Sequence, residues 1–209
     1  MKESVPKQYL PLGDKPIILH ALEALASFPD WQEIIIVCDP SYQALFTPYS
    51  HLPIKFALPG KERQYSLFSA LDSLSPATKW VCIHDGARPL LQKKELFDVI
   101  ECGKKYGAAT LATPITSTVK EANNDLFVVK TLERERLWTI QTPQVIEVDL
   151  LKQGRALAEE KGLTLTDDVS LVELLHHKVK LVLGSVNNIK ITTQEDLAIA
   201  RFITGSHHV

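Results

Sequence analysis

Long apolar runs are missing from this sequence, and so is any excess of positive charge. No stretch approaches the roughly 20 apolar residues that span a bilayer, and the polar start lacks the apolar core of a secretory signal. Lys and Arg number 23 against 25 Asp and Glu, a formal net charge of −2. Such a balance provides no basic field for a nucleic-acid backbone or an anionic membrane, which leaves a small molecule as the expected partner. Cysteine is scarce: Cys38, Cys82 and Cys102 have no metal-ligand spacing, and the first two lie in apolar runs where a thiol acts as a small hydrophobe. The chain therefore reads as reduced and cytoplasmic, with no metal held by its own side chains. Internal repeats, low-complexity tracts and linkers are absent too. What is present is 209 residues, 45% of them hydrophobic, enough to bury the core of one α/β domain.

The apolar residues come in a rhythm. Asp14 is placed to cap a helix whose positions Ile18, Ala21, Leu22 and Leu25 repeat with helical spacing. "EIIIVC" (33–38) is a short β-branched run that suits a strand covered on both faces. Strand patterns follow at 54–58, 80–84 and 108–113, alternating with helical ones at 63–74 and 93–106. This alternation predicts βαβ units, and hence an α/β, Rossmann-like, doubly wound and mostly parallel sheet with helices on both faces. The rhythm breaks at 114–136, where "STVK" and "LFVVKTL" flank the turn-formers Asn123, Asn124 and Asp125, a hairpin signal. We expect an arm at about 115–136 that projects from the domain and packs on a second subunit. Helices near 147–161 and 167–176, strands at 179–183 and near 188–192, and a helix from about 194 to 203 complete a single domain spanning 1–209. The closing "GSHHV" is given no weight.

Ligands of open parallel sheets bind beyond the carboxyl ends of strands, so the residues just after each apolar run matter most. In "WVCIHDGARPL" the strand ends at Asp85, Gly86 allows close backbone approach, and Arg88 with Pro89 sets a stiff turn. A carboxylate there could hold a ribose hydroxyl or the hydration shell of a metal ion; the plainer alternative is a turn cap beside a surface ion pair. His84 and Asp85 point to opposite faces of a strand and do not form a Ser-His-Asp arrangement. In "LPGKERQYS" (58–66) Gly60 precedes Lys61, Arg63 and a helix start, a place where backbone N–H groups attract anions and Ser66 adds a hydroxyl. It is no Walker loop, because Glu62 follows the lysine and no glycine lies five residues before Gly60. Thr142 in "TIQTPQ" and Thr166 in "TLTDDVS" place uncharged hydroxyls, and Thr166 reads first as the cap of the next helix. Lys190 falls inside the strand expected near 188–192.

Taken in order, "PKQYLPLG", the glycine loop leading to "ERQ" and a serine, "HDGARP", "TVK", "LERERLW", "QTPQ", "TDDVS" and "NIKIT" resemble the 2-C-methyl-D-erythritol 4-phosphate cytidylyltransferase family over nearly the whole chain. The resemblance implies attack of a sugar-alcohol phosphate oxygen on the α-phosphorus of CTP, assisted by cations and a magnesium ion held mainly by the CTP phosphates. It implies catalytic roles for Lys7, Asp85 and Lys190, and nucleotide contacts from Gly60, Lys61, Arg63, Ser66, Asp85 and Gly86. By the same resemblance Arg88, Thr118, Arg134, Thr142, Thr166 and Lys190 hold the methylerythritol phosphate. Thr118 and Arg134 would reach a neighbouring subunit's site in a homodimer. Family members carry a first strand and a glycine-rich loop with a basic residue ahead of the lysine, and both are expected from an N-terminal segment upstream of Met1. Tyr65 stands where the family commonly has aspartate, a departure that bears on cation handling in the nucleotide loop. Two alternatives are a pentitol-phosphate acceptor such as ribitol 5-phosphate, and a catalytically silent nucleotide-binding or dimerisation module.

Overall fold

A computed structural model describes residues 5–205. Residues 1–4 and 206–209, on which the expectations about the chain start and the closing tail fall, lie outside the described residues. In chain order the elements are β1 (Pro11–Leu12), β2 (Lys15–Pro16), α1 (Ile17–Ala26), β3 (Ile34–Val37), β4 (Ile54–Ala57), α2 (Arg63–Asp72), β5 (Trp80–Ile83), α3 (Lys93–Tyr106), β6 (Ala108–Pro114), β7 (Lys120–Ala122), β8 (Val128–Thr131), β9 (Trp138–Glu147), α4 (Val148–Glu160), α5 (Val169–Glu173), β10 (Lys180–Leu183) and α6 (Gln194–Thr204). The expected α/β alternation is present. Two features were not foreseen: a 3-10 segment at Pro40–Tyr49, and the ten-residue β9, whose mixed polar and apolar residues hide its strand character.

The main sheet runs β10-β6-β9-β5. β10 is parallel to β6, while β9 is antiparallel to both β6 and β5, so β5 and β6 share one direction around an inverted neighbour. Helices cover both faces. Ile146 packs with Phe68, Leu151 and Val172 from α2, α4 and α5. Val145, the next residue of the same strand, packs instead with Leu96, Val99 and Ile100 of α3, as the two-residue repeat of a strand requires. Gln92 and Glu95 form a reciprocal capping box that starts α3. Gly103 lets that helix sit directly on the sheet, since a Cβ there would lie 2.3 Å from Val145 Cγ1.

Three expectations are corrected. Asp14 caps nothing in α1: it lies with Gly13 in the turn of the small β1-β2 hairpin, and Pro16 stands at the helix start without a side-chain cap. Residues 188–192 form a loop, not a strand, because its backbone is tied to the turn after β5 through the Ile191 N–H to the Ala87 carbonyl. β3 is not covered on both faces, since only Ile36 of its four residues is buried.

The reason for the last lies beside it. Among the described residues β3 pairs only with β4 and β5 only with β9, and their remaining edges line one cavity of about 850 Å³. Ile18 and Leu22 of α1 and Leu67 and Leu71 of α2 add to its walls, and Arg63, Ser66, His84, Asp85 and Asp168 also line it. The β7-β8 hairpin is as expected in place and turn residues, with Asn123 Oδ1 accepting the Asp125 and Phe127 N–H groups. Every residue of its two strands is exposed.

Candidate active site

Asp85 lies two residues beyond the end of β5 and becomes the focus of three cations. Arg63 Nε donates to its Oδ1 at 2.9 Å, Lys190 Nζ lies 3.0 Å from Oδ2, and Arg88 Nε stands 3.5 Å from Oδ2. The side chain is 12% exposed. Burial opposes ionisation, but the Arg63 and Lys190 charges outweigh it and hold the carboxyl well below the ordinary carboxylate range. Asp85 is thus a permanent anion and not a proton acceptor. The Arg88 of the stiff turn is no surface ion pair: it is largely buried, its guanidinium donates to the Asn188 carbonyl at 2.7 Å, and its buried Nε has no hydrogen-bond acceptor.

The turn is held from β9. The Asp85 N–H donates to Thr142 Oγ1 at 3.0 Å, and Thr142 Oγ1 lies 3.0 Å from His84 Nδ1. His84 Nε2 is 3.0 Å from the Arg88 carbonyl. A carbonyl only accepts, so Nε2 carries the proton and Nδ1 accepts from the threonine hydroxyl. The ring is neutral: burial pulls its value from 6.5 down to about 4, against its hydrogen bonds and Asp85. Thr142 is buried and engaged on both sides. Its contribution to any ligand passes through the backbone of Asp85 and the ring of His84.

Lys190 reaches Asp85 because Asn188 anchors its loop. Asn188 is fully buried, and its Nδ2 donates to Gln141 Oε1 at 3.1 Å and to the Thr142 carbonyl at 2.9 Å. Lys7 opens the 3-10 turn Lys7–Tyr9 near the same centre. Burial and the Lys190 charge lower its ammonium, while Asp85 and Asp196 oppose them. A lysine whose ammonium is lowered by burial and by a second lysine gains from a further anion, which suits it to meet one.

Arg63, the first residue of α2, has two carboxylate partners. Besides Asp85 it grips Asp168, with both terminal nitrogens at 2.6 Å from the two oxygens. Asp168 is 2% exposed. Burial pushes its carboxyl up and the arginine pulls it down; with both oxygens accepting N–H donors, the geometry holds the carboxylate. Thr166 is not the cap expected at α5. It is exposed, and the helix start is satisfied by Asp167 Oδ1, which accepts the Ser170 N–H at 3.1 Å, and by Gln144 Oε1, which accepts the Asp168 and Val169 N–H groups at 3.0 and 2.9 Å. The next residue and a distant glutamine took over because β9 runs directly beneath the helix start.

The structure thus brings Lys7, Arg63, Asp85, Arg88 and Lys190 together, with Gly86 and Ser66 on the same cavity wall. Gly60 folds back on α2, its N–H donating to Ser66 Oγ at 3.0 Å, and a Cβ there would lie 2.4 Å from Tyr65 Cβ. Lys61 is exposed on that loop, as is Tyr65 one helical turn on. Thr118 and Arg134 lie on the exposed arm, where Arg134 donates to the Thr116 carbonyl at 2.9 Å and does not reach the cluster of its own chain. Gln144, Asp168 and Asn188 went unrecognised as site residues. Their signal was their place in "QTPQ", "TDDVS" and "NIKIT", but nothing local marks a glutamine as a cap for a helix some 25 residues away.

Cations and hydroxyls gathered around one anion just beyond the carboxyl end of a strand of an α/β sheet are the arrangement of a transferase that handles a phosphorylated nucleotide. More narrowly, the chain belongs to the 2-C-methyl-D-erythritol 4-phosphate cytidylyltransferase family, whose model matches residues 1–206. Its relatives include the chloroplastic enzyme of that name from Oryza sativa subsp. japonica, 46% identical across 96% of this chain and 68% of its own length. The enzyme of that name from Chlamydia pneumoniae is 47% identical across 94% of this chain and 89% of its own. Among solved structures, the 4-diphosphocytidyl-2C-methyl-D-erythritol synthase of Anaerococcus prevotii superposes with a TM-score of 0.88 at 28% identity, covering 95% of this chain and 93% of that one. The cytidylyltransferase of Thermus thermophilus gives 0.82 at 30% identity over 96% and 94%.

Proposed function

We infer that this protein transfers CMP from CTP to 2-C-methyl-D-erythritol 4-phosphate. A phosphate oxygen of the acceptor bonds to the α-phosphorus of CTP, the bond from that phosphorus to the bridging oxygen breaks, and pyrophosphate leaves with that oxygen. Negative charge grows on the oxygens around the phosphorus in transit, and cations already in place stabilise it without reorganising. Lys7 and Lys190 serve there, and Asp85 holds Lys190 and Arg63 in position as a fixed anion. Gly60, Lys61, Arg63, Ser66 and Gly86 form the nucleotide side. Arg88, with a buried N–H that has no acceptor, serves the acceptor phosphate together with Thr166 and Lys190, while Thr142 supports that side by holding Asp85 and His84. The observation that carries the reading is the excess of cations at one point: Lys7, Arg63, Arg88 and Lys190 outnumber Asp85, Asp168 and the Asp196 that acts on Lys7, which leaves one net positive charge for an anionic ligand. Pyrophosphate release should require CTP, the acceptor and Mg²⁺ together, and Lys7→Ala should abolish it. Equal turnover by that variant, or equal use of ribitol 5-phosphate in competition, would overturn the assignment.

Magnesium fits this site only as a companion of the nucleotide. Among the described residues no group of three or more His, Cys, Asp or Glu side chains could hold a metal, and Asp85 offers one already paired carboxylate. Mg²⁺ commonly takes one or two carboxylates, several waters and substrate phosphates, so CTP would supply most ligands. The arm's exposed apolar residues suit a homodimer in which Thr118 and Arg134 enter the partner's site, and sedimentation as a monomer at micromolar concentration would refute it. No helix among the described residues is long and apolar enough to cross a membrane; we place the enzyme in the cytoplasm, which fractionation would test. The cavity between β3 and β5 has, among the described residues, two unpaired strand edges and apolar walls, the environment of an inner strand. In the family reading a strand fills it and leads into the glycine-rich phosphate loop, so a peptide of that pattern added in trans should change Trp80 fluorescence and raise turnover. Neither change would occur if the cavity served another purpose.

A further inference from the structure

Arg63 divides its donors unevenly between two acids. Its terminal nitrogens both go to Asp168 at 2.6 Å, and only Nε, at 2.9 Å, goes to Asp85. The two-pronged grip is the stronger arginine–carboxylate geometry, and here it is placed on Asp168 and not on Asp85, the acid that Arg88 and Lys190 also approach. Were Asp168 absent, the same prongs would be free to close on Asp85 and occupy both of its oxygens. One of those oxygens is the partner of Lys190, at 3.0 Å. Asp168 is itself immobile: its side chain is 2% exposed, and its N–H is bonded to Gln144 Oε1 from β9 at 3.0 Å.

We propose that Asp168 is a positioning residue for CMP transfer: by engaging the terminal nitrogens of Arg63 it limits that arginine to one oxygen of Asp85 and so keeps the other oxygen for Lys190. This rests on the function proposed above and extends it beyond the residues that meet the ligands. The line of support runs from β9 through Gln144 to Asp168, then through Arg63 to Asp85 and Lys190. Because the arginine also opens α2 directly behind the Gly60 loop, the same grip sets where the nucleotide side of the site begins.

The test is Asp168→Asn in the full chain. A neutral amide keeps the shape and one acceptor but no longer holds the fork. We expect kcat to fall about tenfold to a hundredfold, the scale of a small misplacement in an active site, with KM for CTP changed less than about threefold. Combined with Arg63→Lys, the substitution should add less than about twofold to the loss of Arg63→Lys alone, since both break one device. A purely structural role for Asp168 would instead multiply with Arg63→Lys. Independently of turnover, the ¹⁵N–¹H resonance of Arg63 Nε, assigned through Arg63→Lys, should exchange slowly with water in the parent and at least about tenfold faster in Asp168→Asn. Wild-type rates in Asp168→Asn, multiplying losses, or unchanged exchange would overturn the proposal. If the parent chain transferred no CMP, the functional reading would fail and the exchange measurement would still decide this one. Should Asp168→Asn not fold, Arg63→Lys tests the device from its half-exposed end: an ammonium cannot grip both acids, so a loss in kcat of at least about tenfold is expected whatever happens to KM for CTP, and an unchanged kcat would refute the division of donors.

Discussion

The Asp85 cluster and the β7-β8 arm are built on opposite terms. Around Asp85 four stretches of chain meet, and the acid, its threonine and its histidine are all satisfied by their own chain. On the arm Leu126, Phe127, Val128 and Val129 are 86, 71, 61 and 59% exposed, and polar contacts such as the 3.0 Å Lys130–Glu121 pair lie in open solvent. Interior polar groups must be matched because an unpaired one is costly to bury. Exposed apolar groups clustered on a thin hairpin gain nothing within the chain and await a cover. In the first region the acid, its threonine and its histidine are satisfied before a ligand arrives; in the second the apolar side chains stay exposed on the single chain.

Four changes would sharpen or break that contrast. The largest effect is expected from Asp85→Asn, which leaves Arg63, Arg88 and Lys190 facing one another without their shared anion. CMP transfer measured by pyrophosphate release should fall about a thousandfold, and a loss under tenfold would mean that the cluster is not the reacting centre. Next comes pH. The unfolded His84 ring titrates near 6.5 and the folded one at about 4. Above 6.5 both states are neutral, whereas between 6.5 and 4 the unfolded chain takes up a proton the folded ring refuses, so stability falls as pH drops through that window. The loss amounts to at most about 3 kcal/mol. Denaturant midpoints of the parent and of His84→Asn should converge on acidification; parallel curves would show that the ring is not buried neutral.

Two smaller changes address the arm. Arg134→Ala should raise KM for the acceptor about tenfold to a hundredfold, the worth of one charge-assisted hydrogen bond, while leaving KM for CTP within about twofold. Equal effects on both substrates would mean that the arm serves folding and not the acceptor. The least effect is expected from Lys130→Ala, where an exposed ion pair contributes under about 0.5 kcal/mol to the chain's stability. A loss above about 1 kcal/mol in thermal unfolding would show that the arm is braced like the cluster and erase the distinction.

The α/β order, the arm and its turn, and the helix at 93–106 were legible because each rests on local signals: apolar period, β-branched runs and turn residues close in sequence. Lys7, Asp85, Arg88 and Lys190 were legible as candidates because several short motifs stood in one order. The cap of α5 was not. Thr166 had the right chemistry at the right place, yet Asp167 and a glutamine from β9 do the work. Nor was the strand nature of 138–147, or the loop at 188–192 that a reading by pattern turned into a strand.

What the sequence determined alone is therefore the set of elements and the chemical types available at their ends, since propensity, period and turn formation act over a few residues. Which oxygen of Asp85 each cation takes, and that Asp168 stands behind Arg63, were decided by the tertiary structure. The contacts of Arg63 and Lys190 span 22 to 105 residues, and hydrogen-bond geometry over such separations is set only when β5, β9 and the helices that flank them have packed.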